Sequence, residues 1–292
     1  MAGIEVVEFT DPGCSWAWGT EPKLRLLRWR YGDRLTWRRV LGGLIGDMNN
    51  YKPDFDGVRN APSRIRYWRK AWEYTQMTYP ARLQWMYSST EPGCKAVKAA
   101  ELQSDEVAGR VLRRLRESTF VFGTPADTRE RVLEAVRGVE GLDMNRFEDD
   151  LSADVTEKAF LEDWEETRRP NDYVMTLEGD YPGIGRAKHT EGHWRFVFPT
   201  LIFRGPDGEA TVPGWNDYER YEEAMETARR GSTKEPKTDP SATDVFATWP
   251  TASEKELEVL TGDTTAPSDV VAYDWGEGSF YLTPSEARAR GV

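Results

Sequence analysis

The order of the periodicities constrains this chain most. Ile4 to Thr10 alternates apolar and charged residues around Val6, Val7 and Phe9, which predicts a strand beginning almost at the first residue. Asp11-Pro12-Gly13 stops it. Leu24, Leu27 and Tyr31 then fall on one helical face, Gly32-Asp33 closes that helix, and Leu35 to Leu41 returns to strand character. A β-α-β unit therefore fills the first 45 residues, and such a unit implies a parallel strand pair bridged by a helix.

The signals from about Ile45 to Thr167 are helical. Ile65, Trp68 and Trp72 share a face, as do Val107, Val111 and Leu115, then Leu133 and Val136, and later Phe147, Leu151, Val155, Phe160 and Trp164. Thr124-Pro125-Ala126-Asp127 predicts a helix start, with Thr as cap and Pro at the first position. Strand chemistry resumes at Phe196 to Phe203, followed by a Gly205-Pro206-Asp207-Gly208 turn and Glu209 to Val212, a hairpin pattern. A charged helix is expected over Asn216 to Arg230, a linker over Gly231 to Asp244, then a short helix at Ser253 to Leu260 and a short strand at Ser279 to Leu282. The expectation is an α/β chain in four stretches: 1–45, the first half of a core; 46–167, a helical insertion; 168–230, the second half; and 231–292, a linker and C-terminal extension.

Composition excludes several classes. The 292 residues hold 39 Lys and Arg against 50 Asp and Glu, a net charge of -11 that disfavours both a sequence-independent grip on nucleic acid and an anionic membrane surface. No apolar run approaches a bilayer span, and the amino terminus lacks a basic stretch followed by an apolar one. With two cysteines, a disulfide scaffold is excluded as well. The expectation is a soluble cytoplasmic protein that binds neither nucleic acid nor membrane.

Those two cysteines carry the chemistry. Cys14 follows the first strand and opens the first helix, where backbone N–H groups favour an anion, so its thiol is expected to be acidified below the free value of about 8.5. The alternative is a small buried hydrophobe. Pro22 sits inside the same helix, where a kink is expected, and Pro199 stands at the mouth of an apolar strand, a position suited to a cis bond. Cys94 follows Glu91-Pro92-Gly93, another helix start.

Together these features resemble the DsbA-type family of the thioredoxin fold. The resemblance rests on Asp-Pro-x-Cys-x-Trp at 11–16, Glu21-Pro22, Tyr31-Gly32, Leu41-Gly42-Gly43, Cys94-Lys95-Ala96-Val97-Lys98-Ala99-Ala100 and Phe198-Pro199-Thr200-Leu201-Ile202-Phe203, and covers about residues 3 to 230. It implies a thioredoxin-like fold with a large helical insertion and a catalytic Cys14 that attacks a disulfide sulfur. Ser15 and Trp16 would shape access to it, and Phe198 and cis-Pro199 would hold a thiol or disulfide substrate by backbone pairing. Cys94 is the candidate resolving thiol, because in similar proteins its helix faces the cleft.

The chain departs from the family's Cys-x-x-Cys pair at Ala17, which excludes a disulfide within the motif and leaves monothiol chemistry. The expected activity is a thiol-disulfide oxidoreductase or isomerase with no tightly bound cofactor, using a low-molecular-weight thiol as cosubstrate. Two alternatives stand beside it: a non-redox DsbA-like adaptor of the Clp protease type, and an enzyme like the kappa glutathione transferases and 2-hydroxychromene-2-carboxylate isomerases. His189 and His193, spaced i, i+4 across a non-helical Thr190-Glu191-Gly192, read as a polar loop near the cleft and not as a metal site. Arg110, Arg113, Arg114 and Arg116 read as the solvated face of an amphipathic helix. Gly183-Ile184-Gly185 lacks the preceding strand that a nucleotide loop needs.

Overall fold

The computed structural model describes residues 3–50, 60–179, 185–190 and 192–292. Part of the helical stretch expected after Ile45 (51–59) and the Gly183-Ile184 step lie outside the described residues. The first strand, β1 (Ile4–Thr10), leads into helix α1 (Ser15–Tyr31), and a single turn returns the chain as β2 (Leu35–Leu41), parallel to β1. Helices α2 (Ala61–Thr75), α3 (Glu91–Glu101), α4 (Asp105–Phe120), α5 (Arg129–Val136), α6 (Met144–Asp150), α7 (Asp154–Thr167) and α8 (Asp172–Thr176) follow, interrupted by the two-residue strand β3 (Tyr79–Pro80). A small hairpin, β4 (Lys188–Thr190) and β5 (His193–Arg195), precedes the antiparallel pair β6 (Thr200–Gly205) and β7 (Gly208–Pro213) and helix α9 (Tyr218–Ala228). The central sheet runs β2-β1-β6-β7, with β6 antiparallel to β1.

The two faces of that sheet bury different partners. Ile4 and Val6 pack with Leu24, Leu27 and Tyr31 of α1 and with Tyr221 and Met225 of α9. Val7 and Phe9, on the alternate positions of the same strand, face Phe196, Phe198 and Ile202 in a cluster that includes Trp68 and Phe120 from the helical block. A second cluster inside that block joins Leu41 and Cys94 to Val97, Val111, Leu115 and Phe160. Trp68 is thus core, as its helical spacing predicts, with Phe120 edge-on at 4.8 Å.

The structure corrects the sequence reading at several points. The helix expected at Thr124 begins at Arg129, capped by the Thr128 side chain, because Asp127 is engaged elsewhere: it accepts from the N–H and hydroxyl of Ser88. His189 and His193 lie on the β4–β5 hairpin, against Trp194 and Trp164. The stretch after Gly231 is tied down along α1: Lys237 N–H donates to the Arg30 carbonyl, Trp29 to the Thr238 carbonyl, and Arg30 pairs with Asp239 at 2.7 Å.

Beyond it lie α10 (Ala242–Thr248), β8 (Thr251–Ser253), α11 (Glu254–Thr261), β9 (Val271–Tyr273), β10 (Gly276–Glu277), β11 (Phe280–Leu282) and α12 (Pro284–Arg290). Strands β8, β11 and β9 form a separate sheet, and β10 pairs with β3 of the helical block. Val245, Leu257 and Leu260 pack on Leu26, so α1 is covered on the side away from the main sheet as well. No helix among the described residues is long and apolar enough to cross a membrane.

Candidate active site: the Cys14 cleft

The junction between β1 and α1 is built around the carboxylate of Asp11. Its Oδ1 accepts from Gly13 N–H at 2.7 Å, which folds the Asp-Pro-Gly turn back on itself. Its Oδ2 accepts from Leu44 N–H at 2.6 Å, the Thr90 hydroxyl at 3.0 Å and Cys94 Sγ at 3.4 Å. One fully buried side chain therefore ties the turn to the segment after β2 and to the start of α3. Burial pushes the Asp11 carboxyl up, against the four hydrogen bonds that favour its charge.

Cys14 occupies the N-cap position of α1, with extended backbone and its N–H on the Asp11 carbonyl at 3.1 Å. Its thiol donates at 3.4 Å to the carbonyl of Phe198, and the Phe198–Pro199 peptide is cis. The next carbonyl, that of Pro199, accepts Gly214 N–H at 2.7 Å. Phe198 can sit here because Gly42 carries no side chain: a Cβ at Gly42 would overlap the Phe198 ring. Sulfur, proline and the intervening carbonyl are thus positioned by β1, β6 and the end of β2 together.

The acidified thiol expected at Cys14 is not what the structure holds. Cys14 is buried, and burial pushes its thiol up to about 11, helped by the Asp11 carboxylate. The N–H groups of Ala17 and Trp16 and the charge of Arg116 act in the opposite direction and are outweighed. The helix N-terminus is present, but desolvation of a thiolate exceeds its stabilising effect. Cys94 is fully buried and likewise shifted upward by burial and Asp11. Both cysteines are free thiols, each donating to a different acceptor.

Ser15 and Trp16 are also buried beside the thiol. The Ser15 carbonyl accepts from the Tyr79 hydroxyl at 2.9 Å, and Trp16 donates to the Tyr67 hydroxyl at 3.1 Å. The Trp16 ring meets Trp215 edge-on at 6.5 Å and lies 5.9 Å from Tyr74, which is half exposed. An aromatic wall therefore stands next to Cys14, assembled from α1, α2 and the loop after β7.

Sequence reasoning missed the charged partners of this site. Arg113, Arg114 and Arg116 were expected on a solvated face, yet all three are largely buried in ion pairs. Arg116 bonds Glu21 of α1, Glu8 of β1 at 3.2 Å and the Thr10 hydroxyl at 2.5 Å. These acids lie about a hundred residues away, so no local spacing announces the pairing. The one clue was Glu8 itself, an acid between Val7 and Phe9 of the first strand. Among the described residues no group of three metal-ligating side chains occurs.

Known proteins share this architecture. A solved protein disulfide isomerase candidate from Nitrosomonas europaea superposes with a TM-score of 0.57 at 16% identity, covering 77% of this chain and 97% of that one. The cytosolic disulfide reductase DsbM from Pseudomonas aeruginosa, solved with GSH, gives 0.50 at 18% identity, covering 76% and 93%. In sequence, the ClpXP adapter protein SpxH of Halalkalibacterium halodurans is 30% identical over 178 residues, 60% of this chain and 58% of that protein. SpxH of Bacillus subtilis is 27% identical over 230 residues, 76% of this chain and 66% of that protein. This chain thus spans little more than half the length of the first of these relatives. The family model Thioredoxin_5, described as thioredoxin, matches residues 8–169, more than half of the chain. With the DsbA-like fold and the sheet order β2-β1-β6-β7 around Cys14, the chain belongs to this thioredoxin family.

Proposed function

We propose that the protein is a cytoplasmic, protein-binding adapter on a DsbA-like thioredoxin fold, in which Cys14 holds the cleft together and does not turn over. The observation that carries this reading is the bond from Cys14 Sγ to the Phe198 carbonyl, on a buried thiol held up to about 11. A thiol in that state is protonated at neutral pH and occupies the backbone acceptor that a bound disulfide substrate would use. Ala17 supports it, since no second thiol completes the motif, and so do the SpxH relatives, which are named as ClpXP adapters. The aromatic wall of Trp16, Tyr74 and Trp215 suits recognition of a partner protein.

One observation favours a second reading, monothiol exchange with a thiol or disulfide substrate: the Ala17 and Trp16 N–H groups do face Cys14 and lower its pKa. In that case a partner that opens the cleft to water would release the thiolate, and Cys94 would serve as resolving thiol.

Affinity capture with wild type and Cys14→Ser separates the two. The adapter reading expects the same partners on both, eluted by salt and insensitive to dithiothreitol. Partners lost with Cys14→Ser, or released only by reductant, together with turnover of a glutathionylated peptide, would replace it with the monothiol reading.

A further inference from the structure

Away from the thiol cleft, a cavity of about 700 Å³ runs along one face of α4, walled by α1, β2 and the C-terminal elements. That volume falls in the range of sites that take small organic molecules. Eight arginines and five glutamates line it. Some of these arginines are matched: Arg113 clamps Glu256 at 2.6 and 2.9 Å, Arg290 bonds Glu117, and Arg114 meets Glu286 at 2.5 Å.

Arg28, Arg39 and Arg116 are less evenly matched. Glu8 is shared by Arg116 at 3.2 Å and Arg28 at 3.5 Å, and it also accepts from the Trp37 indole at 2.8 Å. Arg39, 92% buried, has no ion-pair partner among the described residues; its Nη1 donates only to the Asp105 carbonyl at 3.1 Å, and its Nε has no partner at all. Arg28 and Arg39 are close enough to repel one another. The charge of Arg39 does act on Glu8, but Arg116 and Arg28 already share that carboxylate, so three guanidiniums face it and an anionic ligand would offset the excess.

The local backbone makes room for this guanidinium. Gly109 lies in the middle of α4, where glycine costs about 1 kcal/mol relative to alanine. A Cβ there would stand 2.7 Å from Arg39 Nη2, so the missing side chain is what lets the guanidinium lie on the helix. Leu112 and Val139 supply apolar wall beside it, and Trp249, under Arg25 at 5.0 Å, a ring face.

We infer that this cavity is a binding site for a small organic oxyanion, a carboxylate or phosphate on a hydrocarbon body. The oxyanion seats on Arg39 and Arg28, and the body lies along Leu112, Val139 and Trp249. The proposal does not rest on the adapter reading, although Arg116, which lines the cavity, also acts on the Cys14 thiol.

Isothermal titration at constant ionic strength tests it, with phenyl phosphate, benzoate and the neutral benzyl alcohol as probes on the full chain. Saturable binding of either anion and none of benzyl alcohol is expected; the better anion identifies the head group. Arg39→Met should weaken that anion by about tenfold or more, as loss of a charge-assisted contact does. Gly109→Leu, which fills the space beside Arg39 while suiting a helix, should weaken it as well and decides the question should Arg39→Met fail to fold. No saturable binding of either anion up to about 10 mM, equal affinity for benzyl alcohol, or unchanged affinity in the folded variants would overturn the proposal.

Discussion

Cys14 sits between opposing influences, and its neighbours decide the outcome. Two helix N–H groups and Arg116 favour the thiolate; burial and the Asp11 carboxylate oppose it and win. The iodoacetamide reaction of wild type should therefore rise with pH toward about 11; a midpoint below the free-cysteine value of about 8.5 would contradict the balance described. Asp11→Asn removes one of the two upward influences, so the Cys14 alkylation rate at pH 8 should increase, by about threefold to tenfold for a shift of up to one pKa unit. The same variant leaves the N–H of Leu44 and the thiol of Cys94 facing a neutral amide, and a stability loss of about 1–3 kcal/mol by urea titration should accompany the faster reaction.

At the level of elements, α4 is the strut between three parts of the chain. Its Val111, Leu112 and Leu115 fill the helical-block core, while Arg113 and Arg116 on the other side reach α1, β1 and α11. Glu256, completely buried in the first turn of α11, serves twice: it closes a capping box with Ser253 and receives both Arg113 and Arg25. Glu256→Ala should cost about 3–5 kcal/mol in denaturant unfolding, because Arg25 is left buried without its ion-pair partner and Arg113 keeps only Glu117 and the more distant Glu21. A loss below about 1 kcal/mol would mean that water reaches those arginines. Gly42→Ala acts through position alone: the added methyl must displace Phe198, and with it the acceptor of the Cys14 thiol. Faster Cys14 alkylation with little change in far-UV circular dichroism is the expected signature.

For the whole molecule, the buried ion pairs make stability depend on acid. Arg116 and Arg113 hold Glu21 down to about 2, against 4.5 unperturbed, although burial alone would raise it. A lowered carboxylate contributes stability that is complete above the unfolded value and lost as pH falls through the folded one. The contribution of Glu21 should therefore be complete from neutral pH to about 4.5 and lost between 4.5 and 2, so the fall in urea midpoint over that interval should be smaller in Glu21→Gln than in wild type. How much of this was legible beforehand follows from the range of the forces involved. Strands β1 and β2, the Leu24-Leu27-Tyr31 face, the β6–β7 hairpin, the start of α3 and the DsbA-like resemblance were all readable, because periodicity, turn residues and motif spacing are local in the chain. Cys14 and Pro199 were singled out by the same local signals, and Ser15, Trp16 and Phe198 by what the resemblance implies. The state of the thiol was not readable, since burial is a property of everything packed around the sulfur. Nor was the fate of Arg113, Arg114 and Arg116: charge looks solvated in sequence until a distant carboxylate is folded against it. The sequence by itself determined the order of the main elements: a β-α-β unit, a helical block, then a hairpin and a helix. Only the tertiary structure decided which charges meet and which polar groups lose water, because electrostatic energy is set by distances between residues far apart in the chain.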